Sequence, residues 1–323
     1  MRVLLLGGTW FLGRHVAERL VQRDDAILLA HRGSPRSSPA VPGEHLYGER
    51  RDLARHAARI KEFAPDAVVD TCAFTAADVD AVLPVLPEVP TVVLSSQDVY
   101  EAYTGLRCGR ELSPLPLTED SPLRRDRYPY RGAGHPDVPD DYDKLDVEER
   151  WLPRGAVVLR LPLIYGPYDW QRREEPILRR VRAGRARIPI GAANLLWTRC
   201  HVDDVATGVL AALDNRAVAG QAINLGETST ATIGTWFRQI LSAAGSSAEL
   251  VQVPDRALPH DLALSGAQAQ HLLVSVTRAQ SLLGWTAGDP AERVADSVRW
   301  HLAHAPADVW TDADTAADEA ALA

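Results

Sequence analysis

The stretch MRVLLLGGTWFLG, residues 1–13, decides the fold of this chain. Residues 3–6 are continuously apolar, which is typical of a short strand buried on both faces of a parallel sheet. A glycine-rich turn follows, and after it HVAERLVQR carries apolar residues at helical spacing. A helix that starts there points its first N–H groups back at the turn. The unit therefore predicts an anion cradle suited to a dinucleotide pyrophosphate.

One residue of this turn departs from the usual pattern. A GxxGxxG turn would have its middle glycine at position 10, where this chain has Trp10. A side chain of that size must point away from the phosphates, so the amides of Trp10, Phe11 and Leu12 are the expected donors. The alternative interpretation is that the turn only closes a strand–helix unit.

Composition restricts the class of protein. With 323 residues and 46% hydrophobic content, the chain can form one large domain or a domain with an appendage. No apolar stretch approaches the roughly 20 residues of a membrane span, and the first apolar run is too short for a signal peptide, so a cytoplasmic protein without a membrane partner is expected. The net charge of −8 argues against a nucleic-acid partner. The acidic tail, residues 305–323, is expected to be disordered.

The three cysteines are Cys72, Cys108 and Cys200. They are odd in number, widely spaced and without a CxxC pair, so neither a disulfide framework nor a metal site is predicted.

The end of the second predicted strand, residues 26–33, bears on the choice of cofactor. An acidic side chain there would bind the adenosine ribose and repel a 2′-phosphate. This chain instead has His31 and Arg32, with Arg36 nearby, which favours NADP and leaves NAD open. Arg32 as an ordinary solvated loop charge is the competing interpretation.

Strand and helix patterns alternate along the chain. Further strands are predicted at residues 45–47, 66–74, 91–96, 156–167 and 221–226, with a long loop at 97–139 and helices at 141–152 and 201–213. This alternation predicts an α/β fold with a doubly wound parallel sheet that binds ligands at the carboxyl ends of its strands. Arginines concentrate in residues 168–199, which would suit an anionic substrate.

Several segments together resemble a known family. They are GGTWFLG, RRDL, LSSQDVY, DKLDVEE, RLPLIYGP, RCHVDDVA, INLGE and LLGW. In order and spacing they resemble the extended and atypical short-chain dehydrogenase/reductases, the NAD-dependent epimerase/dehydratase family, up to about His304. The resemblance implies a Rossmann-type NAD(P)-binding domain at residues 1–165 and 201–226. It also implies a smaller, discontinuous C-terminal substrate-binding region at 166–200 and 227–304.

The resemblance also implies roles for individual residues. The pyrophosphate would be held by Gly7, Gly8, Thr9, Trp10, Phe11, Leu12 and Gly13. Asp52 and Leu53 would flank the adenine, although Asp52 could equally be a helix N-cap. Ser96 would hydrogen-bond the reacting substrate oxygen, and Asp98 is a candidate proton carrier.

The catalytic tyrosine of the family is not where the pattern expects it. The family uses YxxxK on a helix, so that the lysine lowers the phenol pKa and binds the nicotinamide ribose. Lys144 matches the lysine, but Asp140 stands four residues earlier. Three alternatives are open. The helix begins later and an irregular turn brings Tyr142 inward, or Tyr128 or Tyr130 supplies the phenol, or no tyrosine acts.

A second departure concerns the substrate. Sugar-nucleotide members usually have Asn where this chain has Leu163, while Arg172 and Arg199 could still pair with a phosphate. The leading hypothesis is an NAD(P)-dependent oxidoreductase, epimerase or dehydratase acting on a hydroxyl or carbonyl carbon of a sugar-like or other small polar metabolite, with a homodimer as the candidate assembly. The rival is a non-catalytic dinucleotide-binding sensor or regulator. RNA binding fits poorly with the acidic balance.

Overall fold

A parallel sheet with helices on both faces forms the centre of the molecule in the computed structural model, which describes residues 1–33, 40–134, 138–307 and 309–323. The strands are β1 (Arg2–Leu6), β2 (Ala26–His31), β3 (Glu44–Tyr47), β4 (Ala67–Asp70), β5 (Thr91–Ser96), β6 (Val157–Leu161), β7 (Leu163–Tyr165), β8 (Arg187–Ile190), β9 (Arg199–His201), β10 (Ala222–Asn224) and β11 (Glu249–Gln252). The helices are α1 (Phe11–Gln22), α2 (Ala57–Phe63), α3 (Ala76–Asp80), α4 (Glu101–Cys108), α5 (Lys144–Trp151), α6 (Glu175–Arg182), α7 (Val202–Asp214), α8 (Ile233–Ala243), α9 (Thr277–Leu283), α10 (Pro290–Ala303) and α11 (Asp312–Leu322).

The central sheet has seven strands in the order β10-β6-β5-β4-β1-β2-β3, and every pair is parallel. The order reverses between β1 and β4, and ligands of such sheets bind outside the carboxyl ends of the strands at this reversal. The predicted Rossmann-type fold is confirmed.

Alternation along β1 builds two hydrophobic layers. Val3 and Leu5 face the layer of α1 and α7, whereas Leu4 and Leu6 face the layer of α3 and α5. All four side chains are buried, as the continuous apolar run predicts.

A further hydrophobic cluster lies outside the sheet. It joins α6, α8 and α10 to the strand pairs β8–β11 and β7–β9, with Trp236 and Phe237 of α8 at its centre. This cluster already begins at Leu163. The proposed division of the chain at residues 165/166, 200/201 and 226/227 stays a prediction.

The tail differs from its prediction, because α11 is an ordered helix over most of residues 305–323. Thr311 and Asp314 form a capping box at its start, and Asp318 is fully buried against the Arg180 guanidinium at 2.7 Å. The tail itself contains no basic residue that could pair with these carboxylates, but the fold brings arginines of α6 to them. Disorder over the whole tail is therefore wrong.

Two helix boundaries around the predicted loop also differ. The segment 97–139 contains α4, and the following helix begins at Lys144 rather than at residue 141. Asp143 is its N-cap, accepting a hydrogen bond from the Leu145 N–H at 2.9 Å. Within the described residues no helix combines the length and apolar character needed to cross a bilayer.

Candidate active site

The glycine turn at the end of β1 has the backbone that its sequence predicts. Gly7 and Gly8 have φ of +100° and +95°, a region that side chains disfavour. A Cβ on Gly13 would lie 2.5 Å from the Gly8 backbone nitrogen, so this glycine lets α1 pack directly on the turn. Because α1 begins at Phe11, its first N–H groups have no intrahelical acceptors. Phe11 itself has φ of +42°, a strained value for a non-glycine residue at this turn.

The Trp10 side chain leaves the turn. Its ring packs against Trp170, with the centroids 6.1 Å apart, in the segment that follows β7. Thr9, which precedes it, is buried. Leu12 packs against the hydrophobic layer of α1 and α7.

The residues predicted to bind the adenosine end of the dinucleotide lie beyond β2 and β3. Asp52 and Leu53 occur in a short 3-10 helix, Arg50–His56, whose N-cap is Glu49, so the N-cap interpretation of Asp52 is wrong. Leu53 is buried, and the Asp52 carboxylate is 3.5 Å from Arg55.

His31 and Arg32, which stand where an acidic residue would bind the adenosine ribose, differ in their contacts. His31 Nε2 is hydrogen-bonded to His45 Nδ1 at 2.7 Å, and its Nδ1 accepts from the Gly33 N–H at 3.1 Å. Burial and His45 lower the pKa of His31, so the imidazole is neutral near pH 7. Arg32 is exposed and makes no hydrogen bond or ion pair with a described residue. Arg36 lies outside the described residues.

Ser96 and Asp98 lie together at the carboxyl end of β5. The Ser96 Oγ accepts a hydrogen bond from the Asp98 N–H at 3.1 Å. The Asp98 carboxyl group is buried, with Oδ2 accepting from the Tyr142 hydroxyl at 2.8 Å and Oδ1 without a partner among the described residues. Burial raises the pKa of Asp98, which makes it a stronger base than a solvated aspartate.

Tyr142 reaches the site because α5 begins late. The Tyr142 N–H donates to the Pro139 carbonyl oxygen at 2.9 Å, and the Asp143 N–H donates to the Phe74 carbonyl oxygen at 2.9 Å. Asp143 is buried and its carboxylate binds Arg124 and Arg127. This geometry corresponds to the first of the three alternatives, in which an irregular turn directs the phenol inward.

Two further phenols surround this pair. The Tyr130 ring centroid is 5.1 Å from that of Tyr142, and the Tyr130 hydroxyl is 2.6 Å from the hydroxyl of Tyr103. Burial, followed by the Asp98 charge, raises the pKa of all three phenols. Tyr128 instead packs its ring under the Arg131 guanidinium. Sequence reasoning missed Tyr103 because it lies on α4, in the segment predicted to be a loop.

Lys144 is buried at the first turn of α5. Its Nζ donates to the carbonyl oxygens of Ala73 and Leu94, at 2.6 Å and 3.0 Å. Burial lowers the pKa of this ammonium group. An ammonium has three N–H donors, so one remains beyond these two bonds.

The two arginines predicted to bind substrate are engaged elsewhere. Arg199 is buried, with Nη2 3.0 Å from Glu227 and the guanidinium 5.1 Å from the centre of the Trp236 ring. Arg172 donates to the His304 carbonyl oxygen at 2.8 Å. Both guanidinium groups thus contact other parts of the protein, and the Nη1 of Arg199 is buried without an acceptor among the described residues. Binding of a substrate phosphate by these two arginines stays a prediction.

The neighbouring Arg173 lies in a turn fixed by the buried Asp169 carboxylate, which accepts hydrogen bonds from the Gln171 N–H and the Arg173 N–H. Its guanidinium forms no ion pair with a described residue, and its charge lowers the pKa of Tyr103 and Tyr130 against the effect of burial. Among the described residues no group of three or more His, Cys, Asp or Glu side chains could hold a metal.

Comparisons with known proteins agree with this architecture. Residues 153–226 match the model of the NAD dependent epimerase/dehydratase family. A dTDP-glucose 4,6-dehydratase from Bacillus anthracis, solved with NAD, has 17% identity and a TM-score of 0.71 over 94% of this chain and 97% of that chain. A UDP-glucose 4-epimerase from Stenotrophomonas maltophila, solved with NAD and formylated UDP-arabinopyranose, has 18% identity and a TM-score of 0.70 over 95% of this chain and 100% of that chain.

A curated relative has a different description. The chloroplast stem-loop binding protein of 41 kDa b from Arabidopsis thaliana is 25% identical over 306 residues, which cover 88% of this chain and 74% of that protein. The predicted family resemblance is confirmed, and the likeness to the solved structures is one of fold.

Proposed function

We propose that this chain, a relative of the NAD-dependent epimerase/dehydratase family in sequence and in fold, is an NAD(P)-dependent oxidoreductase, epimerase or dehydratase. Its substrate would be a sugar-like or other small polar metabolite that reacts at a hydroxyl or carbonyl carbon. The buried hydrogen bond between Tyr142 and Asp98 carries this proposal, because it is a proton-transfer pair beside Ser96 at the carboxyl end of β5.

The residues of the glycine turn fit a dinucleotide. Gly7 and Gly8 adopt the positive φ values that let a phosphate approach the backbone, and the N-terminus of α1 supplies N–H donors. Asp52 and Leu53 would flank the adenine, and the third Lys144 proton would reach the ribose. When bound, the nicotinamide would supply hydride transfer.

The proton chemistry would belong to this chain's own residues. In the oxidation direction, the Tyr142 oxygen takes the substrate hydroxyl proton while its own proton passes to the Asp98 carboxylate. One proton therefore moves from substrate to Asp98, and the phenol ends neutral. In the reduction direction the same steps run backwards. Ser96 would orient the substrate oxygen.

This arrangement differs from the YxxxK couple in its source of basicity. The Lys144 ammonium is bonded to two backbone carbonyls, and the phenol of Tyr142 has a raised pKa, so a stable tyrosinate is disfavoured. Asp98, with its own raised pKa, supplies the proton acceptor instead.

Cofactor binding and turnover test the proposal together. Titration with NADPH and NADH, followed by nicotinamide fluorescence, measures the affinity of each form. Reduction of a panel of aldehydes and ketones then measures turnover in the wild type and in Tyr142→Phe. We expect the variant to bind cofactor normally and to lose turnover, because only the proton pathway is cut. Equal turnover of the two proteins would overturn the assignment of Tyr142.

The relative described as a stem-loop binding protein supports a second candidate, a non-catalytic dinucleotide-binding regulator. This candidate expects cofactor binding without turnover of any compound, and saturable binding of an RNA hairpin in a filter assay. The net charge of −8 disfavours the RNA-binding part of it.

A further inference from the structure

One turn of the chain contacts both the glycine turn and the C-terminal helix α10. It comprises residues 166–173, directly after β7, and we call it the bridging turn. On one side, the ring of Trp170 packs against that of Trp10, the N-cap residue of α1, with the centroids 6.1 Å apart. On the other side, His301 Nε2 in α10 is 3.1 Å from the Gly166 carbonyl oxygen. The bridging turn therefore links α10 to the residue at which α1 begins.

Tyr168 gives the bridging turn a second contact with α1. The centre of its ring is 4.4 Å from the Arg14 guanidinium carbon and 6.1 Å from the centre of the His15 ring. The same ring lies 4.9 Å from the ring of Trp300 in α10. Two aromatic side chains of the bridging turn thus contact the N-terminal part of α1, where the free N–H groups that would bind the pyrophosphate are located.

The backbone of the bridging turn is fixed around Trp170. The buried carboxylate of Asp169 accepts hydrogen bonds from the Gln171 N–H at 2.9 Å and from the Arg173 N–H at 3.1 Å. These bonds close the turn over the residues on both sides of Trp170. The ring of Trp170 is 39% exposed, so its position comes from this backbone and from its contact with Trp10 rather than from burial.

The glycine turn contains a residue that needs such support. Phe11 has φ of +42°, and a strained value of this kind persists only where the surrounding contacts impose it. The Phe11 side chain is buried in the layer of α1 and α7, and the preceding residue, Trp10, is held by Trp170. The usual pattern has glycine at position 10, which offers no side chain to hold. Tryptophan therefore gives this turn a fixed point that a glycine would lack.

We propose that Trp170 is a positioning residue for the dinucleotide. Through Trp10, it holds the glycine turn in the conformation in which the N–H groups of the turn bind the pyrophosphate. This inference rests on the dinucleotide binding of the proposed function and not on its chemistry. Donors that are aligned before the ligand arrives bind it more tightly, because ordering them on binding costs conformational entropy. The pyrophosphate is common to NADH and NADPH, so the contact should serve both cofactors equally.

A double-mutant cycle tests the contact between the two rings. Nicotinamide fluorescence measures the dissociation constants of NADH and NADPH for the wild type, Trp10→Ala, Trp170→Ala and the double variant. We expect each single change to raise both constants by about 2- to 10-fold, the effect of losing one aromatic pair, and the double variant to add little to either. Trp170→Phe should keep most of the affinity. Trp310→Ala, which removes a ring packed against Arg180, is the control and should change neither constant.

Unfolding and turnover separate this inference from a structural role and from the proposed function. Urea unfolding of the same variants measures the structural role, and lower stability with unchanged dissociation constants would overturn the inference. A double variant whose loss of affinity is the product of the two single losses would also overturn it, as would a loss confined to NADPH. The expected cycle without turnover of any compound would support the positioning role and refute the enzyme. A wild type that binds neither cofactor would refute both.

Discussion

The glycine turn and the Tyr142–Asp98 pair lie at the same edge of the sheet, yet they are built in different ways. The turn is local, since Gly7, Gly8 and the start of α1 are adjacent in sequence. The pair joins residues 44 positions apart, and its surroundings come from Tyr103 of α4 and Tyr130 of the loop after it. The geometry of a local motif can be predicted from its own residues, whereas the geometry of the assembled site depends on contacts between segments that are distant in sequence.

The sharpest way to break the assembled site without touching the turn is Asp98→Asn. The amide keeps the shape but cannot accept the proton, so kcat should fall by about 10²- to 10⁴-fold, the usual contribution of a general base. The dissociation constant for NADPH should stay the same. A steady-state assay with a parallel cofactor titration measures both, and a joint loss would mean that the two regions are not independent.

A carboxyl group outside both regions, Glu174 before α6, can be examined through pH. Burial raises the pKa of Glu174 from 4.5 to about 7, so the folded protein holds a proton that the unfolded chain releases. The resulting stabilisation is complete below pH 4.5 and is lost as pH rises through 7. Glu174→Gln removes this dependence. Relative to wild type, we expect the variant's free energy of unfolding to gain about 2–3 kcal/mol between pH 4.5 and 8.

Urea unfolding at a series of pH values provides the Glu174 measurement. Ser297 donates a hydrogen bond to this carboxyl group, and a glutamine oxygen can accept the same bond. A constant difference between the two proteins across the range would contradict the assignment.

The local motif can be broken by Gly13→Ala. The new Cβ would lie 2.5 Å from the Gly8 nitrogen and 2.7 Å from its Cα, so α1 must shift from the turn. We expect a loss of about 1–3 kcal/mol in stability and weaker binding of both NADH and NADPH. Thermal unfolding and cofactor titration measure these effects. With saturating cofactor, kcat should recover because the Tyr142–Asp98 pair is untouched.

The smallest effect is expected for Arg32→Ala. An exposed ion pair contributes about 0.2–1 kcal/mol, so NADPH binding should weaken up to about fivefold while NADH binding stays constant. Arg51→Ala changes a neighbouring exposed arginine and serves as the control. Equal losses for both cofactors would show that Arg32 does not bind a 2′-phosphate.

The same contrast explains which structural features could be predicted from the sequence. The strand Thr91–Ser96 was predicted at its observed bounds, because a buried parallel strand depends on its own apolar residues. The start of α5 was not predicted correctly. Its N-cap, Asp143, is buried against Arg124, a residue from another segment of the chain. The spacing of the aspartates could not locate it, because Asp140 and Asp143 are three residues apart, as are Asp143 and Asp146.

The partners of individual side chains were the feature that the sequence predicted least well. The sequence offers eight arginines between residues 168 and 199 without indicating which of them are neutralised by carboxylates. Asp318 of α11 neutralises Arg180, and Glu227 neutralises Arg199. Such partners follow from the tertiary arrangement and not from spacing along the chain.

The C-terminal helix has a consequence for how the molecule is made. Arg180 is almost fully buried, and its partner Asp318 is encoded 138 residues later. On a ribosome, α6 therefore emerges long before the carboxylate that neutralises it, with Asp261 appearing in between. This side of the molecule can reach its final packing only after translation has passed residue 318.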